Sequence, residues 1–261
     1  MFCKTCDSEI GENHRPYQKM NIPSVTTILS TINEGSIEGL LKWAANLAAE
    51  EAFVNPEVEL MAKPLAIKYC ANAHIRDRAK SADRGSLVHH IVDHFSKGEE
   101  PEIITTEDIG GYIHAVYKWF GAYSPIVTQT EQIVVGTNGN SYDYIGTYDA
   151  KGQLAYNGEM VTCLWDYKTR GKPSKEVRVK ELIQPCLYSL GFNATIEGRK
   201  VVVDKDNLPD YVDFVGIVEF CADGNYRMSI AKTKDVIPLA RNIISVYKRL
   251  NKLEYSDGGW R

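Results

Sequence analysis

Two aspartates and a lysine carry the clearest chemical potential in this chain: Asp149, Asp166 and Lys168. The run before Asp166, from Val161 through Thr162, Cys163 and Leu164 to Trp165, is β-branched, apolar or aromatic, which is the composition of a strand. Residues two apart on a strand share a face, so Asp166 and Lys168 project together while Tyr167 turns away. A buried strand rarely sets a carboxylate beside an ammonium without a reason. Upstream, Tyr144, Ile145, Thr147 and Tyr148 form a second strand-like run ending at Asp149, and Gly152, Asn157 and Gly158 supply turn residues between the two. Pairing the two strands brings Asp149 close to Asp166. Two hard carboxylates beside an open backbone carbonyl suit Mg²⁺, which takes oxygen ligands and keeps several waters. Lys168 then stands where it orients a water or offsets charge on a phosphate. Read alone, the D-x-K triplet is better explained as a surface ion pair on an exposed hairpin, because such triplets are common.

A third signal follows a basic loop. Gln184 and Tyr188 are four apart in QPCLY and share one face of a helix. The ordered set GTYD (Gly146 to Asp149), WDYK (Trp165 to Lys168) and Gln184-x-x-x-Tyr188 resembles the RecB-like branch of the PD-(D/E)XK nucleases, which includes phage exonucleases and CRISPR-associated adaptation nucleases. That branch also carries an R-G-x-x-x-H helix upstream, and RGSLVH, Arg84 to His89, matches it. The resemblance spans roughly residues 84 to 190, with a looser likeness over residues 22 to 52.

The resemblance implies a metal-dependent DNA exonuclease of phage recombination type. Mg²⁺ or Mn²⁺ would be held by Asp149, Asp166, the Tyr167 carbonyl and His89. Glu131, in the strand Thr128 to Val135, matches a glutamate that many relatives place near the catalytic carboxylates, and pairing with a lysine explains it equally well. Lys168 would position or activate water, with Gln184 and Tyr188 orienting substrate or metal-bound water. Arg84 and the basic run Arg170, Lys172, Lys175 and Arg178 would contact DNA. Related phage exonucleases work beside a strand-annealing protein, so the implied partners are DNA and a single-strand annealing protein. Pro185 departs from the family, where an aliphatic residue is usual. Proline inside a helix removes a backbone bond, so Gln184 is expected at the start of a new helical segment. Alternatives from other classes are a non-catalytic DNA-binding module that kept the fold, a structure-specific DNA endonuclease and a small-molecule metallohydrolase.

The rest of the chain must position these groups. At 261 residues, 44% hydrophobic and 25% charged, it can bury a substantial core. A net charge of -4 gives no global signature of nucleic-acid binding and leaves room for a local basic cleft. No apolar run is long enough to span a bilayer and no signal-peptide pattern opens the chain, so no membrane partner is expected. Six cysteines without regular spacing suggest reduced thiols in a cytoplasmic compartment, the host cytoplasm if the protein is phage-encoded. Cys3 and Cys6 form a C-x-x-C pair followed by His14, with no second pair to complete a zinc site, so residues 1–20 read as a tail. The C-terminal cysteines of iron–sulfur relatives have no counterpart before the final GGWR, and no iron–sulfur cluster is expected.

Periodicity predicts a short helix capped by Ser24 or Thr26, a helix over residues 36–52 broken by Pro56, another over 57–80, and one over 83–97 that holds His89, His90 and His94. His90 and His94 have metal-ligand spacing, but Ile91 replaces the glutamate of a zinc protease motif, so they read as surface or packing residues. A further helix over 107–123, strands over 213–220 and 226–231 around Gly224-Asn225, and a helix over 235–253 complete the pattern. No linker divides residues 21–261, and they read as one domain: an α/β fold with a mixed central sheet flanked by helices, similar to the restriction-endonuclease core.

Overall fold

A computed structural model of the chain describes Tyr17 and residues 20–32, 37–99, 109–137, 139, 141–198, 200–204, 209 and 211–252. Cys3, Cys6, His14 and the final GGWR lie outside the described residues. The chain groups into two compact units, one formed by residues 1–12 and 33–87 and the other by residues 13–32 and 88–261.

The first unit is helical. It contains α2 (Ile37–Val54), α3 (Pro56–Glu59), α4 (Lys63–Ala71) and the first part of α5 (Ala73–Ser96). Pro56 sits in the first turn of α3, where its missing N–H is no loss, and Asn55 caps that turn by accepting the Glu57 amide. Arg76 braces this unit: it pairs with Glu51 at 3.2 Å, donates to the Tyr69 carbonyl at 2.8 Å and lies over the Tyr69 ring. Ile37, Leu40 and Leu41, which fall at helical spacing in α2, are exposed.

Helix boundaries differ from expectation here. The helix expected over 57–80 is split between Glu59 and Lys63 and again at Asn72, and α5 then continues through Ser81, Ala82 and Asp83 without interruption. No proline lies in that stretch, and a single interior glycine, Gly85, costs only about 1 kcal/mol, too little to end a helix.

The second unit is an α/β assembly built on a seven-stranded mixed sheet. Its strands are β1 (Ile126–Thr137), β2 (Tyr142–Tyr156), β3 (Glu159–Arg170), β4 (Phe192–Glu197), β5 (Lys200–Val203), β6 (Phe214–Cys221) and β7 (Tyr226–Lys232), in spatial order β5-β4-β1-β2-β3-β6-β7. Every neighbouring pair is antiparallel except β3 and β6, which run parallel. The β2–β3 hairpin turns at Asn157-Gly158, whose φ values of 52° and 84° fit a two-residue turn matched to strand twist.

The sheet is covered on both faces. On one, α1 (Val25–Leu29), α7 (Val179–Ser189) and α8 (Thr233–Leu250) bury Val25, Ile28, Leu187 and Ala240 against Tyr148, Leu164 and Val215. On the other, Val88 and Val92 of α5 and Trp119 of α6 (Gly110–Tyr123) pack on Trp165, Tyr167 and Phe220. Ser24 caps α1 by accepting the Thr27 amide at 3.1 Å. Helix α7 runs unbroken through Pro185, so Gln184 lies in mid-helix rather than at a new start. Proline leaves only one helical carbonyl without its donor, and packing of the surrounding buried residues offsets that loss.

Candidate functional site

The hairpin register decides what meets at the sheet centre. Pairing of β2 with β3 runs from Tyr156–Glu159 to Ala150–Trp165 and stops there. The next positions on the two strands are Asp149 and Asp166. Beyond them β3 continues beside β6 as far as Arg170–Cys221, while β2 stays with β1. The strands therefore fork at the two aspartates. The Tyr167 amide, which has left the ladder, donates to Asp149 Oδ2 at 2.6 Å.

His89 closes the open side of the fork. Val88 and Val92 anchor α5 in the core, and the intervening His89 ring stands edge-on to the Tyr167 ring. Its Nε2 lies 3.1 Å from the Tyr167 carbonyl, which can only accept, so Nε2 carries the proton; Nδ1 lies 3.7 Å from Asp149 Oδ1. On the neighbouring strand Thr130 faces Ala150 and Gln132 faces Tyr148, which sets Glu131 level with Asp149. Glu131 has φ 49°, a left-handed conformation in mid-strand that costs a non-glycine residue about 1–3 kcal/mol. One ligand atom from each of His89, Glu131 and Asp149 lies within 4.8 Å of the others.

Asp166 stands apart from that trio. It is 2% exposed; its Oδ1 accepts from Gln184 Nε2 at 2.8 Å, and its Oδ2 touches the Lys168 ammonium but makes no hydrogen bond of normal geometry. Burial pushes the Asp166 carboxyl up to about 6, opposed by the Lys168 ammonium and reinforced by the charge on Asp149. Burial works against the charge on Lys168, yet Asp166 and Asp149 outweigh it and hold the ammonium above its ordinary value. Tyr167 turns to the opposite face, against Trp119 and Phe220, as the two-residue period requires.

Helix α7 supplies the remaining groups. Gln184 donates both to Asp166 and, at 3.0 Å, to the Tyr188 hydroxyl. Burial holds the Tyr188 phenol well above its usual range, with the charges on Asp166 and Asp149 adding to the shift. Its ring lies over Gly146, where any Cβ would collide with it. The glycine of GTYD thus admits the tyrosine of QPCLY, which ties two of the sequence signals together by packing.

The basic run divides. Arg170 donates to Glu219 at 2.9 Å and to Glu181 at 2.6 Å, so its charge is answered inside the protein. Lys172, Lys175 and Arg178 are exposed, with Arg178 3.9 Å from Glu181. Arg84 belongs to the helical unit and donates to Ser81 at 3.3 Å. His94 pairs with Glu99 at 2.8 Å and stacks edge-on with His90.

Glu219 and Glu181 were not singled out in the sequence. The signal for Glu219 is a lone carboxylate within the apolar strand VGIVEFC, which burial tolerates only with a partner. No protein-family model and no curated protein sequence matches the chain.

Proposed function

We propose that the protein is a metal-dependent DNA nuclease, an exonuclease of phage recombination type whose α/β unit is a restriction-endonuclease-like core. The observation that carries this reading is the fork: two aspartates where β2 and β3 part, with a lysine two residues further along β3. The donors fit a hard divalent cation. Two carboxylates, Glu131 and Asp149, have oxygens within 4.8 Å of each other and of a His89 ring nitrogen beside the Tyr167 carbonyl, and Asp166 lies level with Asp149 on β3 with its Oδ2 against the Lys168 ammonium. His89, Glu131, Asp149, Asp166 and the Tyr167 carbonyl would hold Mg²⁺ or Mn²⁺. Bound there, the ion would supply charge against the scissile phosphate and a water of lowered pKa.

The chain's own residues do the rest. The Lys168 ammonium contacts Asp166 on the same face of β3, which places it to orient the attacking water or steady phosphate charge. Gln184 fixes the plane of the Asp166 carboxylate, and Tyr188 fixes Gln184. The exposed cations Lys172, Lys175 and Arg178, directly after β3, suit the passage of a phosphate backbone past the fork.

The test is digestion of end-labelled linear duplex and closed circular DNA, with Mg²⁺ or with EDTA. Release of end label with Mg²⁺ alone, sparing the circle, is expected. Cutting of the circle would make the protein an endonuclease. Binding of DNA without cleavage in Mg²⁺ or Mn²⁺ would leave a DNA-binding module and end the nuclease reading.

A further inference from the structure

Loops that carry lysines are usually mobile, and a mobile lysine pays side-chain and backbone entropy each time it meets a phosphate. The loop between β3 and α7 is pinned at its middle. Ser174 is held by three handles: its amide donates to Glu219 Oε2 at 3.0 Å, its hydroxyl donates to Glu219 Oε1, and its carbonyl accepts from Arg227 Nη1. Glu219 sits on β6 opposite Lys168 on one side and Arg227 on the other, so the anchor shares strands with the fork. The same carboxylate accepts Arg170 Nε, and the Arg170 carbonyl accepts the Ala222 amide at 2.9 Å, which fixes the base of the loop. Burial alone would raise the Glu219 carboxyl, but Ser174 and Arg170 hold it below its ordinary value.

The charges of this clasp cancel. Arg170 is answered by Glu219 and Glu181, and Arg227, level with Glu219 on β7, donates to the Ser174 carbonyl, so two cations stand with two carboxylates and the clasp itself carries no net charge. What it holds up are the residues flanking Ser174, the exposed Lys172 and Lys175. We propose that Ser174 and Glu219 are positioning residues that hold Lys172 and Lys175 as a fixed pair of contacts to the phosphate backbone of duplex DNA. This rests on the nuclease reading above. It also gives Arg170 a part in the clasp in place of a direct DNA contact.

The experiment measures affinity for a short blunt duplex against KCl concentration, in Ca²⁺ to prevent cleavage. The proteins are wild type, Ser174→Ala, Glu219→Gln, the double variant Lys172→Ala with Lys175→Ala, and that double variant combined with Ser174→Ala. Thermal melts check folding. The double lysine variant should lower the log–log salt slope by about two, one per contact. Ser174→Ala should weaken binding about three- to tenfold and reduce the slope by up to about one. Added to the double variant, it should change affinity by less than about twofold, because the lysines it positions are gone. A role confined to stability would not give that non-additivity. Glu219→Gln should match or exceed Ser174→Ala if it folds; if it does not, Ser174→Ala decides, since it strands no buried charge. The proposal is overturned if Ser174→Ala keeps wild-type affinity and slope while the double lysine variant loses both. It is overturned equally if the Ser174→Ala effect adds in full to the double variant. Should the double lysine variant itself bind as wild type, the positioning role falls, whereas Mg²⁺-dependent digestion by the same wild-type preparation decides the nuclease reading separately.

Discussion

Asp166 and Asp149 occupy adjacent positions on neighbouring strands, yet their surroundings differ in kind. Asp166 is 2% exposed and meets a cation and an amide donor from its own chain, Lys168 and Gln184. Asp149, with its side chain 12% exposed, shares its surroundings with His89 and the exposed Glu131. The inner carboxylate is answered internally and pays for desolvation with a raised pKa. The outer one sits beside the His89 imidazole and Glu131, which holds a strained backbone there. Under the proposed function, the strain and the gathered acids at this edge mark where the cation would sit. The difference teaches that two aspartates which look alike in sequence have unlike energetics: one is a liability that the fold manages, the other stands at the more exposed edge beside an imidazole and a second carboxylate.

The largest effects should come from neutralising either one, with different consequences for stability. Asp149→Asn and Asp166→Asn are each expected to lower the single-turnover cleavage rate at least about a hundredfold in saturating Mg²⁺. In EDTA at neutral pH, Asp166→Asn should melt above wild type, because it removes a carboxylate whose charged form burial disfavours. Asp149→Asn should melt close to wild type, since its oxygen still accepts the Tyr167 amide. If Asp166→Asn melts lower than Asp149→Asn, the inner carboxylate is a net stabiliser and the contrast is wrong.

A second, smaller effect sharpens the same contrast through pH. The folded Asp166 carboxyl titrates near 6, above its ordinary value of 3.8. Between those values the unfolded chain has released the proton and the folded chain still binds it, so this group's contribution to stability falls as pH rises from about 4 to about 6. Above that window the contribution is flat. Lys168→Ala removes the cation that opposes the shift, so the decline should extend to higher pH and the variant should lose about 1–3 kcal/mol at neutral pH. That is less than a fully buried pair would lose, because Lys168 keeps 28% of its side-chain surface exposed. Melts of EDTA-treated protein from pH 4 to 8 check this. A Lys168→Ala variant as stable as wild type at pH 8 would mean that Lys168 does not answer the charge of Asp166.

Much of this site is legible in the residues, and the reasons are geometric. Asp166 and Lys168 share a face because strands repeat every two residues. Asp149 precedes the Asn157-Gly158 turn by as many residues as Asp166 follows it, so the hairpin register alone sets them level. Other features depend on contacts distant in sequence. Arg170 reads as one more cation in a basic run until β6 brings Glu219 and α7 brings Glu181. The β4–β5 hairpin escaped notice because its strands are short, although Ala194, Ile196, Val201 and Val203 carry the alternation. The strained φ of Glu131 has no local sequence signal; only its place beside Asp149 gives it meaning. Helix α7 runs through Pro185 because its buried residues pack in the core, a gain that the local sequence does not display.

The smallest expected effect tests whether the inner half is a chain of supports. Gln184 has two amide protons: one reaches Asp166 and the other the Tyr188 hydroxyl, so the hydroxyl sets the amide plane without touching the carboxylate. Tyr188→Phe keeps the ring that fills the space over Gly146 and deletes only the oxygen. One buried donor then lacks its acceptor, worth about 1 kcal/mol of stability. Gln184 still reaches Asp166 but samples more orientations, so the single-turnover rate should fall only about two- to tenfold, with duplex affinity unchanged. Gln184→Ala should lower the rate further, and the combination with Tyr188→Phe should be no worse than Gln184→Ala alone, because both act through one hydrogen bond to Asp166. A Tyr188→Phe rate loss as large as that of Asp166→Asn would instead make the hydroxyl a direct participant in the reaction. The inner half of the fork would then be chemical rather than supportive.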